Sequence, residues 1–164
     1  MSGLTLSVET QNAIRELVTR YPERRAALIP ALLLVQKEVG ALPDEVQVKV
    51  AELLDLPPTQ VREVVSFYPM MRTKPVGKCH IQVCRTLSCA MRGSRTLVKK
   101  LEEELHIHAG ETTADGMFTV ATIECLAGCG SAPAMLVNDE YVENADWAKM
   151  ETILNQVRKG AKPV

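Results

Sequence analysis

The residues best suited to chemistry in this chain of 164 residues are four cysteines in two close pairs. Cys84 and Cys89 form a C-x4-C motif, Cys125 and Cys129 form a C-x3-C motif, and thirty-five residues separate the pairs. A thiolate pair in a short loop can bind a soft metal centre from one side, and a second pair from a distant loop can complete the coordination. The spacing therefore predicts a metal centre held by four thiolates.

Three kinds of thiol site compete for these cysteines. Disulfides are disfavoured because the chain begins without the basic region, apolar core and cleavage site of a secretory signal. Structural zinc is less favoured, since zinc knuckles are mostly shorter and more equal in length. Among iron–sulfur centres, the C-x2-C-x2-C run of [4Fe–4S] ferredoxins is absent, and His80, His106 and His108 lie outside the pairs, unlike Rieske ligands. A [2Fe–2S] cluster is the leading interpretation.

Composition predicts a globular protein of one or two small domains, with 46% hydrophobic and 24% charged residues. A net charge of −1 and 4% aromatic residues argue against nucleic acid binding. The longest apolar stretch, residues 26–35, contains Pro30 and is too short for a bilayer core that requires about twenty residues. We expect a soluble protein in the cytosol or an equivalent reducing compartment.

The N-terminal part of the chain, residues 7 to about 68, is predicted to be a bundle of four helices. Apolar residues recur there at helical spacing, for example from Ile14 to Tyr21. Caps and breakers separate the helices. The predicted boundaries are Ser7 as the cap of the first helix, about Arg24 to Val39 for the second before Gly40, Asp44 as the start of the third, and Pro57-Pro58-Thr59 as the end of the third and cap of the fourth.

The C-terminal part is predicted to fold in the order β-α-β-β-β-α, as a four-stranded mixed sheet with flanking helices. We expect an α/β protein with a helical domain over residues 1–72, a linker at Thr73–Gly77, and a second domain over residues 78–160. The predicted elements are a strand at 79–84, a helix capped by Ser94 with Leu97, Val98, Leu101 and Leu105 buried, a strand at 117–123 after the Asp115-Gly116 turn, a hairpin of 134–137 and 140–142, and a helix capped by Asp146.

That order explains how the distant thiol pairs meet. In a right-handed βαβ unit the strands are parallel, so their carboxyl ends lie at the same edge of the sheet. Cys84 and Cys125 each stand at such an end. Small residues around Cys129 allow backbone N–H groups to approach sulfur. Arg85 and Arg92 are possible counter-charges for an anionic centre, but the favoured interpretation of each is a solvated surface residue.

These motifs resemble those of a known family, the 24 kDa subunit of NADH:quinone oxidoreductase, respiratory complex I. The resemblance covers nearly all of residues 14 to 158. It includes the helical part, with Tyr21-Pro22, Leu42-Pro43, Pro57-Pro58 and Ser66-Phe67-Tyr68, and both cysteine motifs, with Gly77 to Cys89, Arg92-Gly93-Ser94, Glu124 to Cys129 and Ala132-Pro133. It implies a helical domain followed by a thioredoxin-like [2Fe–2S] ferredoxin domain. It also implies Cys84 and Cys89 on one iron, and Cys125 and Cys129 on the other.

The resemblance further implies a role as an electron carrier. Family members contact a flavoprotein subunit of the 51 kDa type, which binds NADH and FMN and carries a [4Fe–4S] cluster, and they work with other hydrophilic-arm subunits on the cytoplasmic side of the inner membrane. The chain itself has neither a G-x-G-x-x-G fingerprint nor a P-loop. The alternatives are a diaphorase subunit of an NAD-linked hydrogenase or formate dehydrogenase, a thiol oxidoreductase, and a zinc-stabilised docking module. A thiol oxidoreductase would need C-x-x-C where the chain has C-x4-C.

Overall fold

A computed structural model describes residues 6–161 of the chain. The described residues divide into two compact units, 6–75 and 76–161. The division falls inside the segment Thr73–Gly77, and independent folding of residues 1–72 and 78–160 remains a prediction. No helix in the described part of the chain is long and apolar enough to span a bilayer.

The first unit is helical, as predicted. Ser7 caps the first helix, and its hydroxyl accepts a hydrogen bond from the backbone N–H of Thr10 at 3.2 Å. Gly40, at φ +87°, ends the second helix. The helices pack around a shared apolar core that includes Ile14, Leu32 and Leu54. Their bounds are Val8–Val18 for α1, Leu28–Val39 for α2, Asp44–Leu54 for α3 and Pro58–Phe67 for α4.

Two predicted boundaries in this unit are wrong. Residues Arg24–Ala27 form a 3-10 turn, and α2 begins only at Leu28. Pro30 explains this difference, because it has no N–H to donate to the carbonyl of Ala26 and therefore fits only the first turn of an α-helix. The segment Pro57-Pro58-Thr59 contains the cap of α4 as predicted, with Pro57 at the cap, but α3 already ends at Leu54 and not at this segment.

The second unit contains the predicted mixed sheet. Strands β1 (Cys79–Cys84), β2 (Phe118–Ile123), β3 (Met135–Val137) and β4 (Glu140–Val142) are arranged in the order β2-β1-β3-β4. β1 is parallel to β2 and antiparallel to β3, and β3 is antiparallel to β4. The remaining helices are α5 (Leu87–Met91), α6 (Ser94–Leu105) and α7 (Trp147–Arg158), with a 3-10 turn at Cys129–Ser131. α5 and the 3-10 turn were not predicted, because they are too short for a periodic pattern.

The caps of this unit are partly as predicted. The Asp146 carboxylate accepts a hydrogen bond from the Lys149 backbone N–H at 2.9 Å and caps α7. Ser94 is not a cap, however: it is the buried first residue of α6, and Gly93, at φ +97°, takes the cap position. β2 starts at Phe118 and not at Met117, whose N–H is bound by the Asp115 carboxylate at 2.9 Å in the preceding turn.

The two faces of β1 have different partners. Cys79, Ile81 and Val83 share one face by strand alternation and belong to a core that α6 and α7 help to form. Cys84 points to the other face, where it belongs to a separate cluster of small buried residues, Cys89, Ala132 and Ala134. The carboxyl end of β1 therefore presents a thiol outside the main core of the unit.

Candidate metal centre

The ends of two parallel strands bring the two cysteine loops together. Cys84 is the register partner of Ile123, and the next backbone N–H, that of Arg85, donates to the Ile123 carbonyl at 2.9 Å. The chain then enters the Cys84–Cys89 segment from β1 and the Cys125–Cys129 segment from β2. The predicted meeting of the two loops at one sheet edge is confirmed.

The first pair, Cys84 and Cys89, is buried. Burial acts to raise the pKa of Cys84, but hydrogen bonds from the Thr86 hydroxyl and amide, from Cys89 and from the Leu126 N–H outweigh it, so the pKa of Cys84 is lowered. The Cys84 Sγ lies 3.2 Å from the Thr86 hydroxyl. Burial raises the pKa of Cys89. The hydrogen bonds from Thr86 and Leu126 thus favour the thiolate form at the first pair, which is the form that binds a metal.

The second pair, Cys125 and Cys129, is exposed. Their sulfur atoms lie 3.9 Å apart, and the Ala127 N–H donates to the Cys125 Sγ at 3.3 Å. Two thiolates on a tetrahedral metal with metal–sulfur bonds of about 2.3 Å are about 3.8 Å apart. The spacing of this pair therefore fits two ligands of one metal atom.

Backbone N–H groups from the second loop and from the segment after it point at sulfur. The Leu126 N–H bonds to Cys84 and so joins the second loop to the first. Ala134 donates to the Cys89 Sγ at 3.5 Å. Cys129 also lies close enough to Cys89 for its charge to raise the pKa of Cys89. Such donors stabilise anionic sulfur, which suits a cluster whose thiolates carry a net negative charge.

The four cysteines are arranged as two separate pairs. Among residues 6–161, no three His, Cys, Asp or Glu side chains converge closely enough to hold a single metal ion. His106 and His108 are exposed at the end of α6, and His80 is buried within β1. The donor set near the strand ends thus consists of thiols, with close spacing inside each pair.

Arg85 is an exposed surface residue, as favoured from the sequence, and it has a carboxylate partner. Its guanidinium pairs with the carboxylate of Glu124, and the Nε–Oε1 distance is 2.8 Å. These two residues directly follow β1 and β2, so the pair joins the starts of both cysteine loops. Because Glu124 neutralises it, Arg85 is a link between loops and not a free counter-charge.

Cys79 lies apart from the other thiols. It begins β1 and is fully buried in the core beneath α6 and α7. Burial raises its pKa to about 11. The expectation that Cys79 is a buried strand residue is confirmed, and its exclusion from the ligand set stays a prediction.

Sequence reasoning missed Thr86 and Tyr141. Thr86 immediately precedes α5, and its hydroxyl lies 3.2 Å from the Cys84 Sγ; this contact depends on a helix too short to detect in the sequence. Tyr141 is on β4, and its hydroxyl rests on the backbone at Gly128 in the second cysteine loop. That contact depends on the register of the β3–β4 hairpin, and the three-residue strands carry little signal for it.

Fold and site together define an α/β protein whose adjacent strand ends present two thiol pairs. Residues 14–158 match the family of thioredoxin-like [2Fe-2S] ferredoxins, and the chain belongs to that family. It is 43% identical over 145 residues to an NADH-quinone oxidoreductase subunit of Rhizobium meliloti, covering 88% of this chain and 86% of that protein. It is 42% identical over 157 residues to an NADH-quinone oxidoreductase subunit of Thermus thermophilus, covering 94% and 87%.

The fold also occurs in a solved enzyme. An NAD+-reducing [NiFe]-hydrogenase in the H2-reduced state aligns with a TM-score of 0.70 and 22% identity. The alignment covers 80% of this chain but only 22% of the hydrogenase chain. At that identity the likeness shows a shared fold, in agreement with the predicted fold class.

Proposed function

We propose that this chain is a one-electron carrier subunit of the NADH dehydrogenase module of NADH:quinone oxidoreductase. The single observation that carries the proposal is the meeting of two close thiol pairs at neighbouring strand ends, with a sulfur–sulfur distance of 3.9 Å in the second pair. The relatives at 43% and 42% identity are subunits of NADH-quinone oxidoreductase and support the same role.

In this proposal Cys84, Cys89, Cys125 and Cys129 hold a [2Fe–2S] cluster, with the first pair on one iron and the second pair on the other. The cluster supplies the capacity to accept and release a single electron. The chain's own residues supply the thiolates, the N–H donors of Leu126, Ala127 and Ala134, and a buried wall of small residues on the side of the first pair.

The proposed electron source is a flavoprotein partner of the 51 kDa type, which binds NADH and FMN and carries a [4Fe–4S] cluster. One surface beside the site suits such a partner: Leu87 and Met91, four residues apart on α5, are 78% and 80% exposed, with Cys89 between them in the sequence. Exposed Cys125 and Cys129 also leave one side of the site accessible. Close approach at this side would shorten the path for an electron.

The proposal places the chain on the cytoplasmic side of the inner membrane, together with other hydrophilic-arm subunits. A diaphorase subunit of an NAD-linked hydrogenase or formate dehydrogenase is the alternative. It has less support, since the relatives at about 40% identity are subunits of NADH-quinone oxidoreductase.

The test is reduction of the purified chain by NADH with and without the flavoprotein subunit. The chain alone should neither bind nor oxidise NADH, whereas NADH should reduce its visible chromophore once the partner is added, provided that the cluster's potential allows it. Dithionite sets the full extent of reduction. Oxidation of NADH by the isolated chain would contradict the proposed division of labour, as would failure to reduce the chain in a stable complex at a favourable potential.

A further inference from the structure

Tyr141 contacts the second cysteine loop although it belongs to no motif. It lies on β4 opposite Leu136 and is 40% exposed. A Cβ added to Gly128 would lie 1.5 Å from the Tyr141 hydroxyl oxygen and 2.9 Å from Cζ. The end of the Tyr141 ring therefore occupies the space that any side chain at residue 128 would need.

The backbone does not require glycine at this position. Gly128 has φ −98° and ψ 38°, so it is outside the left-handed region that other residues avoid. What excludes a side chain is Tyr141, together with the Ala134 methyl group at 3.3 Å from the same point. Ala134 also provides the N–H that bonds to Cys89. The Tyr141 hydroxyl thus lies between the Cys125–Cys129 loop and Ala134, which contacts the first cysteine pair.

The hydroxyl lies within the electrostatic field of the thiols. Burial raises the pKa of Tyr141, and the charges of Glu143, Cys89, Cys84 and Cys129 raise it further. A phenol with its ordinary pKa of about 10 already keeps its proton at neutral pH and is a hydrogen-bond donor. An O–H dipole close to an anionic centre stabilises the more negative of its two charge states.

We propose that Tyr141 is a positioning residue that raises the reduction potential of the centre by holding its hydroxyl against the second cysteine loop. The inference rests on the proposed function, because it concerns the cluster that the four cysteines would hold. The phenol is not itself a redox group: reduction adds one electron at the centre, and Tyr141 neither loses a proton nor changes its oxidation state.

The first test compares the midpoint potentials of the cluster-loaded chain and its Tyr141→Phe variant by a dye-mediated titration followed by electron paramagnetic resonance. Tyr141→Phe should lower the ratio of reduced to oxidised centre at a fixed potential at least threefold, which is about 28 mV at 59 mV per tenfold change. Tyr21→Phe, a similarly exposed tyrosine at 38%, is the matched control and should leave the ratio unchanged. Equal potentials for the two variants would overturn the proposal.

The second test changes Gly128, the other residue in the contact with Tyr141. Gly128→Ala should displace the Tyr141 hydroxyl and lower the potential in the same direction, whereas Gly130→Ala should not, because a Cβ there meets nothing within 4 Å. In a Tyr141→Leu background, Gly128→Ala should shift the potential much less than in the unaltered chain, because only the Ala134 methyl group at 3.3 Å still opposes the added Cβ. Additive shifts in that double variant would show that Gly128 acts independently of Tyr141 and would refute the mechanism.

The outcomes separate this inference from the proposed function. If the unaltered chain binds no iron and sulfide, the proposed function fails. If it binds both and the potentials of Tyr141→Phe and Gly128→Ala match those of their controls, only the role of Tyr141 fails. Should Tyr141→Phe reduce the amount of bound cluster, the Gly128→Ala and Gly130→Ala pair still decides the matter.

Discussion

Cys79 is expected to remain a protonated core thiol while the other four cysteines bind metal. Its pKa is raised to about 11 from the ordinary 9.0 because the thiol is buried in the core of the second unit. At pH 7 this leaves about one thiolate in ten thousand molecules, compared with about one in a hundred for a thiol of pKa 9. Thiolate-dependent alkylation of Cys79 should therefore be about a hundredfold slower than that of an ordinary thiol, and slower still where the core excludes the reagent.

The raised pKa also sets a direction for stability. Between pH 9 and 11 the folded chain keeps a proton on Cys79 that the unfolded chain loses, so the stabilisation is complete below about pH 9 and is lost as pH rises towards 11. Cys79→Ala should cost about 1 kcal/mol at neutral pH through the lost sulfur atom. Its free energy of unfolding should fall less steeply above pH 9 than that of the unaltered chain.

The assay combines iodoacetamide labelling of the metal-free chain, read by mass spectrometry, with iron and sulfide analysis of reconstituted variants. Cys79→Ser should keep full cluster content, whereas Cys84→Ala, Cys89→Ala, Cys125→Ala and Cys129→Ala should lose or cripple it. Loss of the cluster in a Cys79→Ser chain with an unchanged circular dichroism spectrum would refute the ligand set. Rapid labelling of Cys79 in the folded chain would contradict the raised pKa and the burial of this thiol.

Three further changes should have separate effects. Asp146→Ala should lower the free energy of unfolding by about 1 kcal/mol in urea titrations, since it removes the cap of α7, and Asp146→Asn should restore most of it. Gly77→Ala should destabilise the chain more than Gly130→Ala in the same titrations, because a Cβ at residue 77 would lie 2.9 Å from backbone atoms of residues 117 and 118; equal values would contradict the close packing. Replacing Leu87 and Met91 together by serine should weaken flavoprotein binding at least tenfold in a binding titration while cluster absorbance is retained, and unchanged affinity would remove α5 from the proposed docking surface.

The sequence was sufficient for the parts of the fold that rest on strong local signals. The alternation of side chains at period two predicted both ends of β1 correctly, and Asp146 correctly predicted the start of α7. The parallel pairing that joins Cys84 and Cys125 at one edge followed from the βαβ order. These features depend on periodicity, side-chain capping and handedness, all of which are encoded over short stretches of chain.

Other features could not be read because they depend on tertiary contacts. α5 has five residues, which is too few to show a helical period, although it positions Cys89. Ser94 looks like a cap in sequence, but Gly93 at φ +97° takes that position. The contact of Tyr141 with Gly128 depends on the register of the β3–β4 hairpin and on the path of a loop that has little regular structure. The missed features thus lie close to the candidate site.

The most direct test of the account is the metal content and paramagnetism of the purified chain. Four thiolates arranged as two pairs predict two irons and two acid-labile sulfides per chain. They also predict an electron paramagnetic resonance signal from a single spin that appears only after reduction. Four irons per chain, or stoichiometric zinc in a colourless protein, would contradict the proposed centre.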